Sequence, residues 1–299
     1  MLTYGVPADA TDEYVRIGES IAIESLRRFV AVVVDLFEDE YLRYPNEADT
    51  ARLLTLGEKN GFLGMLWSID CMYWAWKNCP VEFQGQYKGH VEKPTIILEV
   101  VASNDLWIWH AFFEMLGSHN DINVLHRSPL FANLAKRRAP EVNYTINDHD
   151  YTMGYYLADD IYPSWATLVK SISQSMGNKN KYFAKAQETA RNNVERAFGV
   201  LQSRFAIVRG AARMWDIETL GDIMKACVIM HNMIVEDEGV VDPTERFDCG
   251  GQNVEPSHEN NRTLNEFIEA HKRIKDKETH VQLKEGLVEH IWNHHSDLY

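Results

Sequence analysis

Cysteine is scarce in this sequence: Cys71, Cys79, Cys227 and Cys249 are the four in 299 residues, and no two are spaced as CxxC. That argues against a structural zinc site and fits a reducing compartment, cytosol or nucleus. Long apolar runs are lacking too. No stretch approaches the roughly 18 uncharged apolar residues of a membrane span. The first residues have no apolar run behind a basic start, so no signal peptide is expected. Positive charge is in deficit, with 30 Lys and Arg against 44 Asp and Glu and a net charge of −14. Over the whole chain that disfavours nucleic acid as a partner. Internal repeats are also missing.

What is present is ordinary globular composition, 45% hydrophobic and 25% charged, with 8 Trp, 13 Tyr and 12 Phe to fill a core. The length suits one large domain or two small ones. The charge is unevenly spread. Residues 177–214 carry eight Lys and Arg against two Glu, while acid collects in residues 1–60 and 236–299. A basic strip inside an acidic chain is either a solvated helix face or a surface for phosphates. Its candidate DNA-binding cations are Lys185, Arg191, Arg196 and Arg204, with Arg191 and Arg204 off the apolar stripe of their helix.

Three segments follow from periodicity and breakers. Residues 1–60 read as a supporting helical segment, with Leu26, Phe29, Val30, Val33, Val34 and Phe37 near a 3.6 period and Pro45 as a stop. Residues 61–238 read as an α/β domain. "GFLGMLWSIDCMYW", "TIILEVVAS" and "LWIWHAFFEML" are three successive strands, the last two joined at Asn104-Asp105. Ser118 is the expected N-cap of a helix interrupted at Pro129. "MGYYLADDIY" is a fourth strand ending in carboxylates. "KYFAKAQETARNNVERAFGVLQSRF" is the strongest helix, striped by Val194, Phe198, Leu201 and Phe205, and a further helix covers about 216–236. The order β-β-β-α-β-α is that of a ribonuclease H-like mixed sheet. Residues 239–299 read as a polar linker followed by one largely surface helix over 263–293.

Three acids fall where that order makes them useful. Asp70 lies inside the first strand between Ile69 and Cys71, an expensive place for a carboxylate unless it is paired or bound to metal. Asp159 closes the fourth strand, 89 residues later, and Glu195 sits on the strong helix 36 residues further on. Cleavage of phosphodiesters by two hard cations needs such a set, one aspartate shared and one further acid for each ion. Each acid has a plainer reading: Asp70 as a turn cap, Asp159 as a strand-end turn residue, Glu195 as a partner of Arg191 one turn earlier. His231 and Asn232 read as a hydrogen-bonding helix pair, and Trp74, Trp76, Trp107 and Trp109 as core.

Over residues 4–238 the sequence resembles the plant PIF/Harbinger transposases. The resemblance rests on "GMLWSIDCMYWAWKNCP", "GQYKGH", "KPTIILEVVASNDLWIWHAFFEMLGSHNDINVL", "GYYLADDIYPSWATLVKSI", "ETARNNVERAFGVLQSRFAIVRG" and "ACVIMHNMIVEDE". It implies a ribonuclease H-like nuclease that cuts DNA with Mg²⁺ or Mn²⁺, with Asp70, Asp159 and Glu195 as catalytic metal ligands. Asp121 matches a fourth family acid and competes with Asp159 as second aspartate; it reads as an auxiliary metal or water ligand, or as a helix-capping acid. The family further implies DNA as substrate, a separate Myb-like protein for recognition, a nuclear location and possible oligomers.

The sequence departs from the family pattern at four places. Trp67 and Asp160 stand where the family has Gly, Tyr73 where it has His, and Ala75 where it has Glu. These motivate a second reading, a catalytically silent transposase-derived protein that binds DNA or a partner protein. A third, a metal-dependent phosphohydrolase of small substrates, requires a closed pocket rather than an open basic groove.

Overall fold

Met65–Ala75 (β1) is the longest strand, since only Ser68 and Asp70 interrupt its apolar and aromatic residues. The computed structural model describes residues 1–299 apart from 90–91, 136–141, 173–174, 240–263 and 297–299. Before β1 come three helices, Ala8–Val15 (α1), Glu19–Tyr41 (α2) and Glu47–Lys59 (α3). Pro45 falls in the break between the last two, and Asn46 caps α3 with a reciprocal bond to Asp49. A short helix, Gln84–Tyr87 (α4), leads to Thr95–Ala102 (β2), which turns through Asn104-Asp105 into Ile108–Leu116 (β3). Both β2 and β3 pair antiparallel, as expected of a meander.

Asp121–Arg127 (α5) and Pro129–Ala135 (α6) follow. The N-cap of α5 is Asn120, whose side chain accepts from the Asn123 amide, rather than the expected Ser118. Two short strands, Tyr144–Ile146 (β4) and His149–Tyr151 (β5), form a hairpin that the sequence reading missed. Its turn residues Asn147 and Asp148 both take positive φ, which these side chains tolerate. Tyr155–Ala158 (β6) is the expected fourth strand, and Leu168–Lys170 (β7) is an unforeseen fifth. Among the described residues the main sheet runs β3-β2-β1-β6-β7, with β6 parallel to β1 and β7 parallel to β6. Asn178–Arg204 (α7) then crosses the sheet, Ala206–Arg209 (α8) is a single turn, and Ile217–Glu238 (α9) follows. This is the ribonuclease H-like mixed sheet.

Alternation along β1 sorts its side chains between two layers. Ser68, Met72 and Trp74 reach α7 and the segment behind it: the Ser68 hydroxyl donates to Ala190 O at 3.3 Å, and Trp74 Nε1 to Gly210 O at 2.7 Å. Trp67 and Ile69 face the other way, packing with Trp107, Trp109, Leu125 and Phe131. The N-terminal helices are not a separate unit, because Leu26, Val30 and Val33 of α2 share a core with β2, α7 and α9. In α9, Asn232 grips β3: its Oδ1 accepts from Ile108 N at 2.9 Å and its Nδ2 donates to Ile108 O at 2.8 Å. His231 meets Leu106 O at 2.9 Å. The pair is hydrogen-bonded as expected, but to another element's backbone.

The C-terminal region departs from its expectation. It forms two helices, Leu264–Ile274 (α10) and Lys277–Ser296 (α11), rather than one. The expected linker at 239–263 lies almost wholly outside the described residues. Nor is α11 a surface helix: Leu283, Leu287 and Ile291, one turn apart, are buried against Phe62, Tyr155 and Phe183. Buried His280 closes the join through Nδ1, at 3.0 Å from Trp165 O and 2.8 Å from Leu168 O. Among the described residues no helix is long and apolar enough to cross a membrane.

Candidate active site

Asp70 sits at the middle of β1 on the face covered by α7. Its Oδ1 accepts from the amide of Cys71 at 2.8 Å, and its Oδ2 lies 3.1 Å from Arg191 Nη1. Burial pushes its carboxyl up to about 6, and the negative charges of Asp121 and Glu195 push the same way. The Cys71 amide and the Arg191 guanidinium pull against that rise without cancelling it. So Asp70 is a desolvated carboxylate in an acidic neighbourhood.

Arg191 uses both ends of its guanidinium. While Nη1 meets Asp70, Nη2 reaches Glu195 Oε1 at 2.9 Å, one helical turn along α7. The i,i+4 pair considered from sequence is therefore real, but the tertiary contact to Asp70 was not foreseen. It joins two of the three expected acids through one cation. The Arg191 side chain is only 13% exposed, whereas that of Glu195 is 51% exposed.

Asp159 falls one residue past β6. Ser68 with Leu157 is the last pair of the parallel β1–β6 ladder, and Asp159 lies two residues beyond it. Its carboxylate is turned to solvent and accepts from the Asp160 amide at 2.7 Å. Buried Gln187 of α7 holds this strand end, donating to Ala158 O at 3.0 Å and Val169 O at 3.2 Å. Asp121 is the first residue of α5 and approaches from the opposite face, accepting from the Tyr73 hydroxyl at 2.7 Å. Of the other acids, the charges felt at Asp70 are those of Asp121 and Glu195. In this arrangement no group of three or more His, Cys, Asp or Glu among the described residues is gathered closely enough to hold a metal ion.

The four departures have distinct local consequences. Trp67 does not enter the acid site; it stacks on Trp109 with centroids 5.8 Å apart and leans on Tyr156 at 5.6 Å. Asp160 faces Lys170 at 3.6 Å. Tyr73 occupies Asp121, as above. Ala75 contributes its carbonyl, accepting from Ala212 N at 2.7 Å.

The basic strip is more divided than its sequence suggests. Lys185 and Arg196 are exposed. Arg191 is committed to the acids, and Arg204 is held by Glu238 and by His231, 3.2 Å from its Nδ1. Lys179 is paired with Glu289 of α11 at 2.5 Å. Arg191 and Arg204, both off the apolar stripe, are nonetheless engaged across the fold; long cations near a core edge find tertiary partners there.

One buried acid escaped the sequence reading. Glu99, opposite Cys71 in β2, is fully buried, and neither carboxylate oxygen has a hydrogen bond of normal geometry. Ser128 lies near enough to ease the charge, but burial dominates and lifts the carboxyl to about 7. The Ser128 hydroxyl itself lies 3.3 Å from His110 Nε2. The signal was a lone glutamate within the apolar run "TIILEVVA".

The fold defines a class first: an α/β domain built on a mixed sheet, with one desolvated carboxylate, Asp70, at the middle of its longest strand. A family model described as plant transposon protein matches residues 39–242, and the chain belongs to that family. No curated protein and no solved structure matches it.

Proposed function

We propose that the chain is the catalytic domain of a PIF/Harbinger-type DDE transposase, an endonuclease that cleaves DNA phosphodiesters with two divalent metal ions. The observation that carries this reading is the desolvated Asp70 at the sheet centre, linked through Arg191 to Glu195. The donor set fits Mg²⁺ or Mn²⁺, since it consists of carboxylate oxygens and carries an excess of negative charge that a hard cation relieves. When bound, such a pair supplies Lewis acidity to the attacking and leaving oxygens.

In this reading Asp70, Asp159 and Glu195 are the catalytic ligands, with Asp159 turning from the Asp160 amide to join the other two. Asp121 is auxiliary, a metal or water ligand steadied by Tyr73. Gln187 fixes the strand end from which Asp159 projects. Exposed Lys185 and Arg196 receive the DNA backbone near the site. The net charge of −14 opposes DNA elsewhere, which fits a separate Myb-like recognition protein and a nuclear location.

A second reading is a silent derivative that binds DNA or a partner protein. It draws support from Arg191, which already pairs with Asp70 and Glu195, and from Tyr73, which engages Asp121. Nicking of supercoiled plasmid with Mn²⁺ by wild type and Asp70→Asn decides between them. The nuclease reading expects metal-dependent nicks from wild type alone. No nicking, together with Mn²⁺ affinity unchanged by Asp70→Asn, establishes the silent reading.

A further inference from the structure

We infer that Arg191 is the counter-ion of the metal-free acid site, and that a divalent cation binds by displacing it. The inference rests on the reading of Asp70 and Glu195 as metal ligands. It starts from the occupancy of individual oxygens. Asp70 Oδ1 is taken by the Cys71 amide, and Oδ2 by Arg191 Nη1 at 3.1 Å. The same guanidinium spans to Glu195 Oε1 at 2.9 Å. A cation shared by these two carboxylates needs the oxygens that Arg191 now holds. An arginine does not lose its charge to make way. Two positive groups in that space repel each other, so occupancy is exclusive.

The geometry also provides a route for exchange. Arg191 and Glu195 are one turn apart on a regular stretch of α7, so rotation of the Arg191 side chain clears the oxygens without moving the backbone. The Glu195 side chain, 51% exposed, lies on the open side from which an ion arrives. In the absence of metal the fork lies between Asp70 and Glu195 and offsets part of the repulsion between these two carboxylates. Arg191 is thus a positioning residue whose removal has opposite effects on the two states.

The test is calorimetric binding of Mn²⁺ by the full chain at pH 8, using wild type, Arg191→Gln and Asp70→Asn. Arg191→Gln is expected to bind Mn²⁺ roughly tenfold tighter or more, since a competing pair of charge-assisted hydrogen bonds is gone. Its metal-free melting temperature should fall. A purely structural arginine predicts the reverse, weaker binding once its support for Asp70 is lost; equal or weaker affinity in Arg191→Gln overturns the proposal. Should that variant not fold, wild type with ¹⁵N-labelled arginine answers the same question under Mg²⁺ titration. The Arg191 side-chain resonances must then shift as the ion saturates, and unchanged resonances overturn the proposal. If Asp70→Asn binds Mn²⁺ as well as wild type does, the metal-site reading itself fails, an outcome distinct from failure of the displacement alone.

Discussion

Replacing Glu99 by Gln should favour the variant over the wild type increasingly as pH rises. In the folded chain burial lifts this carboxyl from 4.5 to about 7, and no hydrogen bond of normal geometry reaches it. In the unfolded chain it ionises at its ordinary value. Between those two values the unfolded state sheds the proton first, so this group lowers stability as pH rises through that window. The full penalty is present above about pH 7 and absent below about 4.5. A gap of roughly 2.5 units corresponds to about 3 kcal/mol at 1.36 kcal/mol per unit. The glutamine amide brings its own burial cost of about 1–3 kcal/mol, but that cost does not vary with pH. The decisive quantity is therefore the slope. Urea unfolding of both proteins at pH 5, 6, 7 and 8 should show the difference, variant minus wild type, rising by about 2.5 kcal/mol across the series. Other titrating groups are common to both proteins and largely cancel. Parallel curves would mean that Glu99 is solvated or paired when ionised, and the reasoning would be wrong.

Asp70→Asn should abolish the rise in melting temperature that Mg²⁺ or Mn²⁺ gives the wild type; an equal shift in both proteins would remove Asp70 from any metal site. Charge reversal at exposed Lys185 and Arg196 should weaken binding to duplex DNA and lower its salt dependence, whereas reversal at exposed Arg273 and Lys277 of the C-terminal helices should do much less; equal losses would reduce the effect to net charge. Leu287→Ala, at a fully buried position in α11, should cost about 2–5 kcal/mol in thermal or urea unfolding, and a change below about 1 kcal/mol would show that α11 is dispensable to the core.

Much of this fold was legible because its central strands are apolar over long runs and its α7 is striped. Asp70 stood out for the same reason, as a charge inside an apolar strand that requires a partner or a metal ion. Short elements were not legible: β4, β5 and β7 have three residues each, too few for a period to show. The burial of α11 was written in Leu283, Leu287 and Ile291, but their spacing was diluted by the polar residues around them. The partner of Asp70 was hidden for a different reason. Nothing local distinguishes an arginine that pairs along its helix from one that also reaches across to a strand 121 residues earlier. The same applies to Arg204, whose partner Glu238 lies on another helix.

Asn232 has a consequence for solubility. The strand β3 lies at the margin of the sheet, where unpaired backbone groups invite another chain to add a strand. By bonding both the amide and the carbonyl of Ile108, the carboxamide of Asn232 imitates one residue of a neighbouring strand. The helix α9 thus blocks that end of the margin with a single side chain. Loss of the amide, as in Asn232→Leu, would leave both groups free, and the first symptom would be self-association of the folded protein in concentrated solution.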